Sequence, residues 1–428
     1  MRFALFILGS RGDTQPYAAL GRALQAQGQS VRICGPENFE SFIRGLGLDF
    51  SPIPLDTRLA VNDVHVRDSL LKGDLLGFFL RLQRQVLQRR QGIQEAWIAA
   101  AQGADVLVGA STTDDALSLI GRALGKPVIF TELSPLIPSS SYAPIALSTR
   151  SLGPLNYPLH WLSRQMWWRL NRPLAQSLAQ ALATVAPQLA PSLSALKSGA
   201  KVLHGFSTAL FTPPPSWTPN THCVTGAWRL DRDDALSLPG DHHDAGFAAW
   251  LEDGPPPIYL SFGSMPAMGG GDLLELAGDL AENLDLRVVL GTGWNSEVVE
   301  TCDLPEGVAL SAECDHAWLF ERCCAVVHHG GAGTTQCVAA AGLPQMVVPF
   351  FADQPFWAEK IRRSGAGLVL PFKRLDSGRL SGLVAELLRG PAQDAAALLA
   401  HRMRDDGGAP LAARRMMEWV QDGSLTST

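Results

Sequence analysis

No stretch of this chain approaches the roughly 18 consecutive apolar residues that a membrane-spanning helix needs. The apolar start Phe3–Leu8 is too short for a signal-peptide core and runs straight into GSRGD, so it reads as the first strand of a cytoplasmic protein. Strong charge of one sign is also missing. The formal net charge is −6 and no Lys/Arg block is long enough to form a nucleic-acid arm, which leaves nucleic acid outside the expected partners. The seven cysteines are odd in number and lack CxxC or Cys/His ligand spacing, so free thiols account for them better than a disulfide frame or a zinc site. Neither a Walker lysine loop nor a GxGxxG with a ribose-binding acid about 20 residues on is present.

What is present is apolar and regular. Hydrophobic residues make up 46% and charged ones 18% of 428 residues, a balance suited to buried parallel sheets covered by helices. The length calls for two domains of roughly 200 residues each. From the start, FALFIL, a helix through Tyr17–Gln27, SVRIC and a helix through Phe39–Arg44 alternate, and DVLVGA, a helix from Asp114 to Leu124 and PVIFTE follow a long helical stretch over about 68–101. Such alternation means βαβ units and a parallel sheet. The Pro-, Ser- and Leu-rich run 133–162 reads as long loops broken by short helices, an insertion of the kind that shapes a ligand site after a strand's carboxyl end.

A proline-stiffened segment, TPPPSWTPN, then precedes a second round of strand and helix starting at PPPIYLSFGSM. The expected division is a first domain over 1–211, a linker over 212–222, a second domain over 223–408 and a final segment over 409–428. Two doubly wound α/β domains are expected to direct the carboxyl ends of their sheets toward one central cleft, where the switch-point rule puts ligands.

The most informative stretch is AVVHHGGAGTTQCVAAAGLPQMVVPFFADQPFWA, residues 325–358. Its strand, glycine turn and helix let backbone N–H groups of Gly330, Gly331, Gly333, Thr334 and Thr335 approach an anion in front of a helix N-terminus, and a diphosphate suits that place. The competing reading is a tight turn with a capped helix and no ligand. HHGGAGTT followed by GLPQMVVPFFADQPFWA resembles the donor-binding signature of the nucleotide-sugar glycosyltransferases of the two-domain GT-B fold, family 1 type. Within that family the chain is most similar to the bacterial and fungal branch that glycosylates sterols, macrolides and glycopeptide aglycones. The opening GSRGDTQPYAALGRALQAQG is similar to the start of the same branch, so the resemblance covers both ends of the chain.

The resemblance implies that His329 and the Gly330–Thr335 loop contact the diphosphate of a UDP- or TDP-sugar, with Gly263 and Ser264 of YLSFGSM approaching it from the domain's first turn. It implies that Asp353 and Gln354 hold sugar hydroxyls, and it makes His316 and Trp318 candidates for packing on the base, Trp318 being equally suited to a helix core. The sugar nucleotide is then a co-substrate and no further cofactor is expected. Plant relatives place a ribose-gripping glutamate eight residues after the equivalent of His329; here that position is Cys337, which leaves UDP against TDP open. The last helix, near Leu411–Gln421, is expected to pack back toward the first domain, as in relatives.

Transfer to an alcohol needs a base. In the turn GSRGDTQP the residue matching the family's base is Asp13, a helix cap being the alternative, with His65 or His160 in reserve. Ser10 and Arg11 of the same turn are donor-side candidates, Arg11 touching phosphate or tying down the loop by a salt bridge. Asp114 and Asp115 read as a plain helix start. The acids of RLDRDDAL read as solvated rather than as a metal site, since a glycine turn and helix dipole already neutralise a diphosphate, and no metal is expected.

The acceptor side is expected from Leu133–Trp168, with Leu133, Pro135, Tyr142, Trp161 and Trp167 as contacts for an apolar small molecule. LHWLSRQMWWRLNRPL reads as core packing with a solvated arginine face, or as a peripheral membrane contact. The expectation is an inverting, metal-independent hexosyltransferase acting on a sterol, polyketide, aromatic natural product or lipid. A nucleotide-sugar epimerase and a non-catalytic sugar-nucleotide binder share the architecture, and the sequence says nothing of oligomeric state.

Overall fold

The computed structural model describes residues 1–71, 74–183, 200–263, 270–295, 303–312 and 314–425. The chain divides into two compact units, one of residues 1–207, 212–230 and 406–428, the other of 208–211 and 231–405. Each is built on an all-parallel sheet. Both have near-continuous apolar strands because helices cover both faces.

In the first unit the strands β1 (Arg2–Phe6), β2 (Ser30–Pro36), β3 (Asp49–Ile53), β4 (Val106–Ala110), β5 (Val128–Glu132), β6 (Lys201–His204) and β7 (His222–Val224) take the order β3-β2-β1-β4-β5-β6-β7. Strand order reverses between β1 and β4, so a crevice opens at their carboxyl ends. The expected linker over 212–222 is not a boundary here. Strand β7 pairs with β6, Val202 against His222, and the unit runs on to Leu230. The closing helix Gly408–Gln421 lies in this unit against the first helix, Arg11–Ala26, with Trp419 buried beneath Lys201 and Arg415. Helical structure in the insertion also begins earlier than its prolines suggest. One helix runs from Asn156 to Ala181 with Pro173 inside it, where the sequence had suggested loops up to residue 162.

In the second unit β8 (Ile258–Ser261), β9 (Val288–Gly291), β10 (Val308–Ser311), β11 (Ala325–His328), β12 (Gln345–Val347) and β13 (Gly367–Val369) take the order β10-β9-β8-β11-β12-β13. Here the reversal falls between β8 and β11. The glycine turns picked out in the sequence follow these two central strands. Among the described residues no helix is long and apolar enough to cross a membrane.

Candidate functional site

In the second unit, β11 ends at His328 and His329 follows it, and the two histidines have different tasks. His328 is fully buried. Its Nδ1 accepts the Gly330 N–H at 3.0 Å, so the proton sits on Nε2, which donates to Gln345 Oε1 at 2.9 Å. Gln345 in turn donates to the Thr335 carbonyl at 3.2 Å. Burial pulls the His328 pKa down to about 4, which keeps it the neutral strut this network requires. The sequence reading had singled out only its neighbour. A histidine closing a buried strand before a glycine was the signal for it.

His329 is half-buried, and its Nδ1 has no hydrogen-bond partner. Burial first, then His328 and His316, lower its pKa to about 3, so the ring is neutral. The backbone packs tightly around it: a Cβ on Gly263 would lie 3.2 Å from His329 Cε1, and one on Gly331 would lie 2.5 Å from Nε2. Gly330 has φ +87°, and a Cβ there would meet Val347 at 2.8 Å. The turn after β8 is equally constrained. Ser261 Oγ donates to the Gly291 carbonyl at 2.9 Å and accepts the Gly263 N–H at 3.1 Å, and Gly263 itself has φ +60°. Ser264 lies outside the described residues.

The helix Ala332–Ala341 starts at once after this turn. Its first rung runs from Thr335 N–H to the Gly331 carbonyl at 2.9 Å, so the N–H groups of Ala332, Gly333 and Thr334 stand ahead of it. The cradle is therefore narrower than the sequence suggests. The N–H groups of Gly330 and Thr335 are already used, and Thr335 is wholly buried with an orphaned Oγ1, while the half-buried Thr334 remains at the mouth. Aligned N–H groups, a helix N-terminus and an unpartnered imidazole nitrogen suit a diphosphate.

Asp353 and Gln354 follow β12 in a loop where Ala352 takes φ +57°, a left-handed conformation that costs a non-glycine residue energy. Gln354 Oε1 accepts the N–H groups of Phe350 and Phe351 at 2.8 and 3.2 Å, and Asp353 Oδ2 accepts Trp357 Nε1 at 3.2 Å. The amide oxygen of Gln354 thus shapes the loop. His316 stacks on Phe320, ring centroids 5.0 Å apart, with Nε2 3.4 Å from the Tyr259 hydroxyl. The structure places Trp318 in the core with Phe247, Leu319 and Phe320, under the Arg322 guanidinium. Asp231 caps the helix Arg232–Leu236, and Arg232 pairs with Glu321.

In the first unit, Asp13 is the third residue of the helix Arg11–Ala26, at the carboxyl end of β1. Its Oδ2 accepts the Ser10 N–H at 2.8 Å and closes a capping box with the Ser10 side chain. Capping and base chemistry are compatible, because the cap fixes the carboxylate's position. Gly9 leaves the room this needs, since a Cβ there would lie 2.1 Å from Asp13 Oδ2. Arg11 lies over the Phe42 ring at 5.1 Å, and its Nε donates to Gln15 Oε1 at 3.4 Å.

Neighbouring strand ends hold groups the sequence did not rank. Asp114 is not a plain helix start. It is 1% exposed and bound by Arg164 Nη1 at 3.0 Å, with Arg164 Nη2 3.8 Å from Asp115. Arg164 is accordingly no part of a solvated arginine face. Glu132 closes β5, buried, and desolvation followed by Asp114 holds its carboxyl well above the ordinary range despite a hydrogen bond from Ser111. Desolvation and Asp114 push Asp115 up to about 7. A lone acid at a strand's carboxyl end was the available signal for Glu132.

A raised carboxyl pKa stabilises the fold below the unfolded value, about 4.3 for Glu. That contribution is lost as pH rises toward the folded value. Glu132→Gln should therefore melt several degrees higher than the wild type at pH 8 and at about the same temperature near pH 4. Thermal unfolding across pH checks this; equal melting of both proteins at pH 8 would mean Glu132 ionises normally.

Tyr142 sits between His160 and Trp217, ring centroids 5.3 and 6.3 Å away, and its hydroxyl donates to the Ile137 carbonyl. His160 is buried and donates from Nε2 to the Tyr142 carbonyl at 3.0 Å, so it holds the insertion in place. His65 is exposed and lines a groove of about 780 Å³ with Glu37, Asp56 and Arg81. Leu133 and Trp167 are half-buried and Pro135 is buried, but Trp161 is 60% exposed and separate from the Tyr142 cluster. Beside that cluster His204 stacks on Trp217 at 3.9 Å and meets His222 at 3.0 Å.

Comparison with known proteins gives a consistent result. Residues 3–132 match the glycosyltransferase family 28 N-terminal domain, and residues 276–413 match the erythromycin biosynthesis protein CIII-like C-terminal domain. A sterol 3-beta-glucosyltransferase of Arabidopsis thaliana is 28% identical over 95% of this chain, which spans 66% of that relative. An O-mycaminosyltylonolide 6-deoxyallosyltransferase of Streptomyces fradiae is 28% identical over the full length of both. Among solved structures, a glycosyltransferase of kitacinnamycin aligns over 99% of both chains with TM-score 0.66 at 18% identity. The glycosyltransferase VinC in complex with DTDP aligns over 99% of this chain and 100% of its own, with TM-score 0.62 at 19% identity. These two likenesses speak for the fold.

Proposed function

We propose, on the premise that the chain belongs to the nucleotide-sugar glycosyltransferases of the GT-B fold and is an enzyme of sterol and macrolide type, that it transfers a hexose from a UDP- or TDP-sugar to a hydroxyl of an apolar small molecule with inversion at the anomeric carbon. The observation that carries this reading is the second unit's switch point, where His329, with its unpartnered Nδ1, is packed between glycine turns beside a helix N-terminus.

In this reading Asp13 takes the proton from the acceptor hydroxyl. The oxygen attacks the anomeric carbon from the side opposite the diphosphate, and the bond to the diphosphate breaks with its electron pair left on the departing phosphate oxygen. Charge grows there as the bond breaks. The N–H groups of Ala332, Gly333 and Thr334 and the neutral His329 ring stabilise it without a metal ion. Asp353 and the Gln354 amide position the sugar. Leu133, Pro135, Tyr142 and Trp167 bound the apolar acceptor, with the relatives' sterol and macrolide chemistry as the guide to its class.

The test is protection against thermal unfolding by a panel of UDP- and TDP-sugars, with and without a chelator. A donor at 100 times its Kd stabilises by about 2.7 kcal/mol, enough to raise the melting point by several degrees. A chelator-insensitive shift within one nucleotide series is the expected result. No shift with any nucleotide sugar would remove the donor-site reading.

A further inference from the structure

We propose that the outer face of the helix Asn156–Ala181, with the loop before it, docks the protein on an anionic membrane surface. The inward face of this helix carries Asn156, His160, Arg164, Leu174 and Leu178, buried or bonded into the fold. The opposite arc is apolar and open. Trp161, Leu162 and Met166 are 60, 48 and 55% exposed on it, Tyr157 at its edge is 58% exposed, and Leu147, Leu152 and Leu155 before the helix are also exposed. Three large apolar side chains on one arc, continued by Tyr157 at its edge and by three exposed leucines before the helix, are far more than the scattered exposed leucine a folded surface tolerates.

Charge chooses the occupant. The chain has 41 acidic residues and a net charge of −6, yet no Asp or Glu lies between Glu132 and Asp231. Arg150 before the helix, and Arg169 and Arg172, three and six residues beyond Met166 on the same arc, are exposed. An apolar arc free of acids and flanked by arginines is the pattern of a helix lying in the headgroup region, its aromatic and aliphatic side chains inserted and its guanidinium groups reaching phosphates. A protein partner would need no such exclusion of acids over so long a segment. The helix lies on the surface and does not span it.

The full-length protein is mixed with phosphatidylcholine vesicles with and without phosphatidylglycerol, and sedimented. Binding is expected to the anionic vesicles only and to weaken as salt screens the arginines. Arg169→Gln and Arg172→Gln each weaken it about fivefold. Leu162→Glu combined with Met166→Glu weakens it about a hundredfold. The melting point of each variant with and without a nucleotide sugar shows whether its fold and donor site are intact.

Absence of binding to anionic vesicles at low salt overturns the proposal, as does binding that the variants leave unchanged. Self-association abolished by Leu162→Glu would also overturn it, by showing that a second copy covers the face. The vesicle result stands whether or not nucleotide sugars protect the protein, so a failure here and a failure of the transferase reading are told apart.

Discussion

Asp13→Asn lowers kcat by about a thousandfold, within the range for losing a general base, while protection by the nucleotide sugar is unchanged. Asparagine keeps the shape of the side chain, and its amide oxygen can still accept the Ser10 N–H that Oδ2 accepts at 2.8 Å, so the helix start survives. Only the capacity to take a proton is lost. Turnover with a soluble aromatic or polyketide acceptor, read beside the thermal shift, separates the outcomes. A wild-type rate would leave Asp13 as a cap alone and reopen the non-catalytic reading or another base. A lost thermal shift as well would mean the substitution disturbed more than proton transfer. Asp13→Ala removes both roles and should lower the rate and also cost about 1 kcal/mol of stability, the usual worth of a cap.

His329→Ala should lower kcat by about two to three orders of magnitude, the scale for removing one preorganised donor from developing negative charge. It should also weaken protection by the nucleotide sugar. Stability should hardly change, because the His329 Nδ1 has no partner to lose. The neighbouring His328→Ala behaves differently. It strips partners from the Gly330 N–H and from Gln345 in a fully buried setting, so it should cost about 2–3 kcal/mol of stability before any question of rate. If both variants lost stability equally, His329 would be a structural residue and its place in leaving-group stabilisation would fall. Gly331→Ala offers an independent approach to the same ring. The new Cβ would sit 2.5 Å from Nε2, so the imidazole must turn away and activity should fall while His329 is still present.

Stability at low pH has a simple expected sign on the histidine side. Burial lowers His222 and His328 to about 4 and His329 to about 3. As pH falls below about 6.5 the unfolded chain takes up protons that these folded rings refuse, and stability drops toward those lower values. Glu132 and Asp115 act in the opposite sense above pH 4, so the two sets of buried groups favour different ends of the range.

The sequence by itself determined the two doubly wound units and the glycine loop after β11. Strand and helix periodicity is local, and so is the demand for glycine: Gly263 and Gly330 have positive φ, and Gly331 has no room for a Cβ. Their spacing after apolar strands therefore survives as readable text, as does Asp13 at the end of β1, because the capping box spans only Ser10 to Asp13. The tertiary structure decided what depends on elements far apart in the chain. Strand order put β4 beside β1 and β5 beside β4, and left β7 on the first sheet, where composition had suggested a linker. The insertion helix brought Arg164 to Asp114, 50 residues away, and turned an apparent helix start into a buried ion pair. Packing sent Trp318 into the core and kept His316 at its edge, although both share one short helix. It also turned Arg164 inward while leaving Trp161, Leu162 and Met166 outside. Such choices follow from which face of an element finds a neighbour, and burial then sets the charge state of Glu132, His328 and His329. No local pattern encodes the neighbour, so none could have encoded the proton.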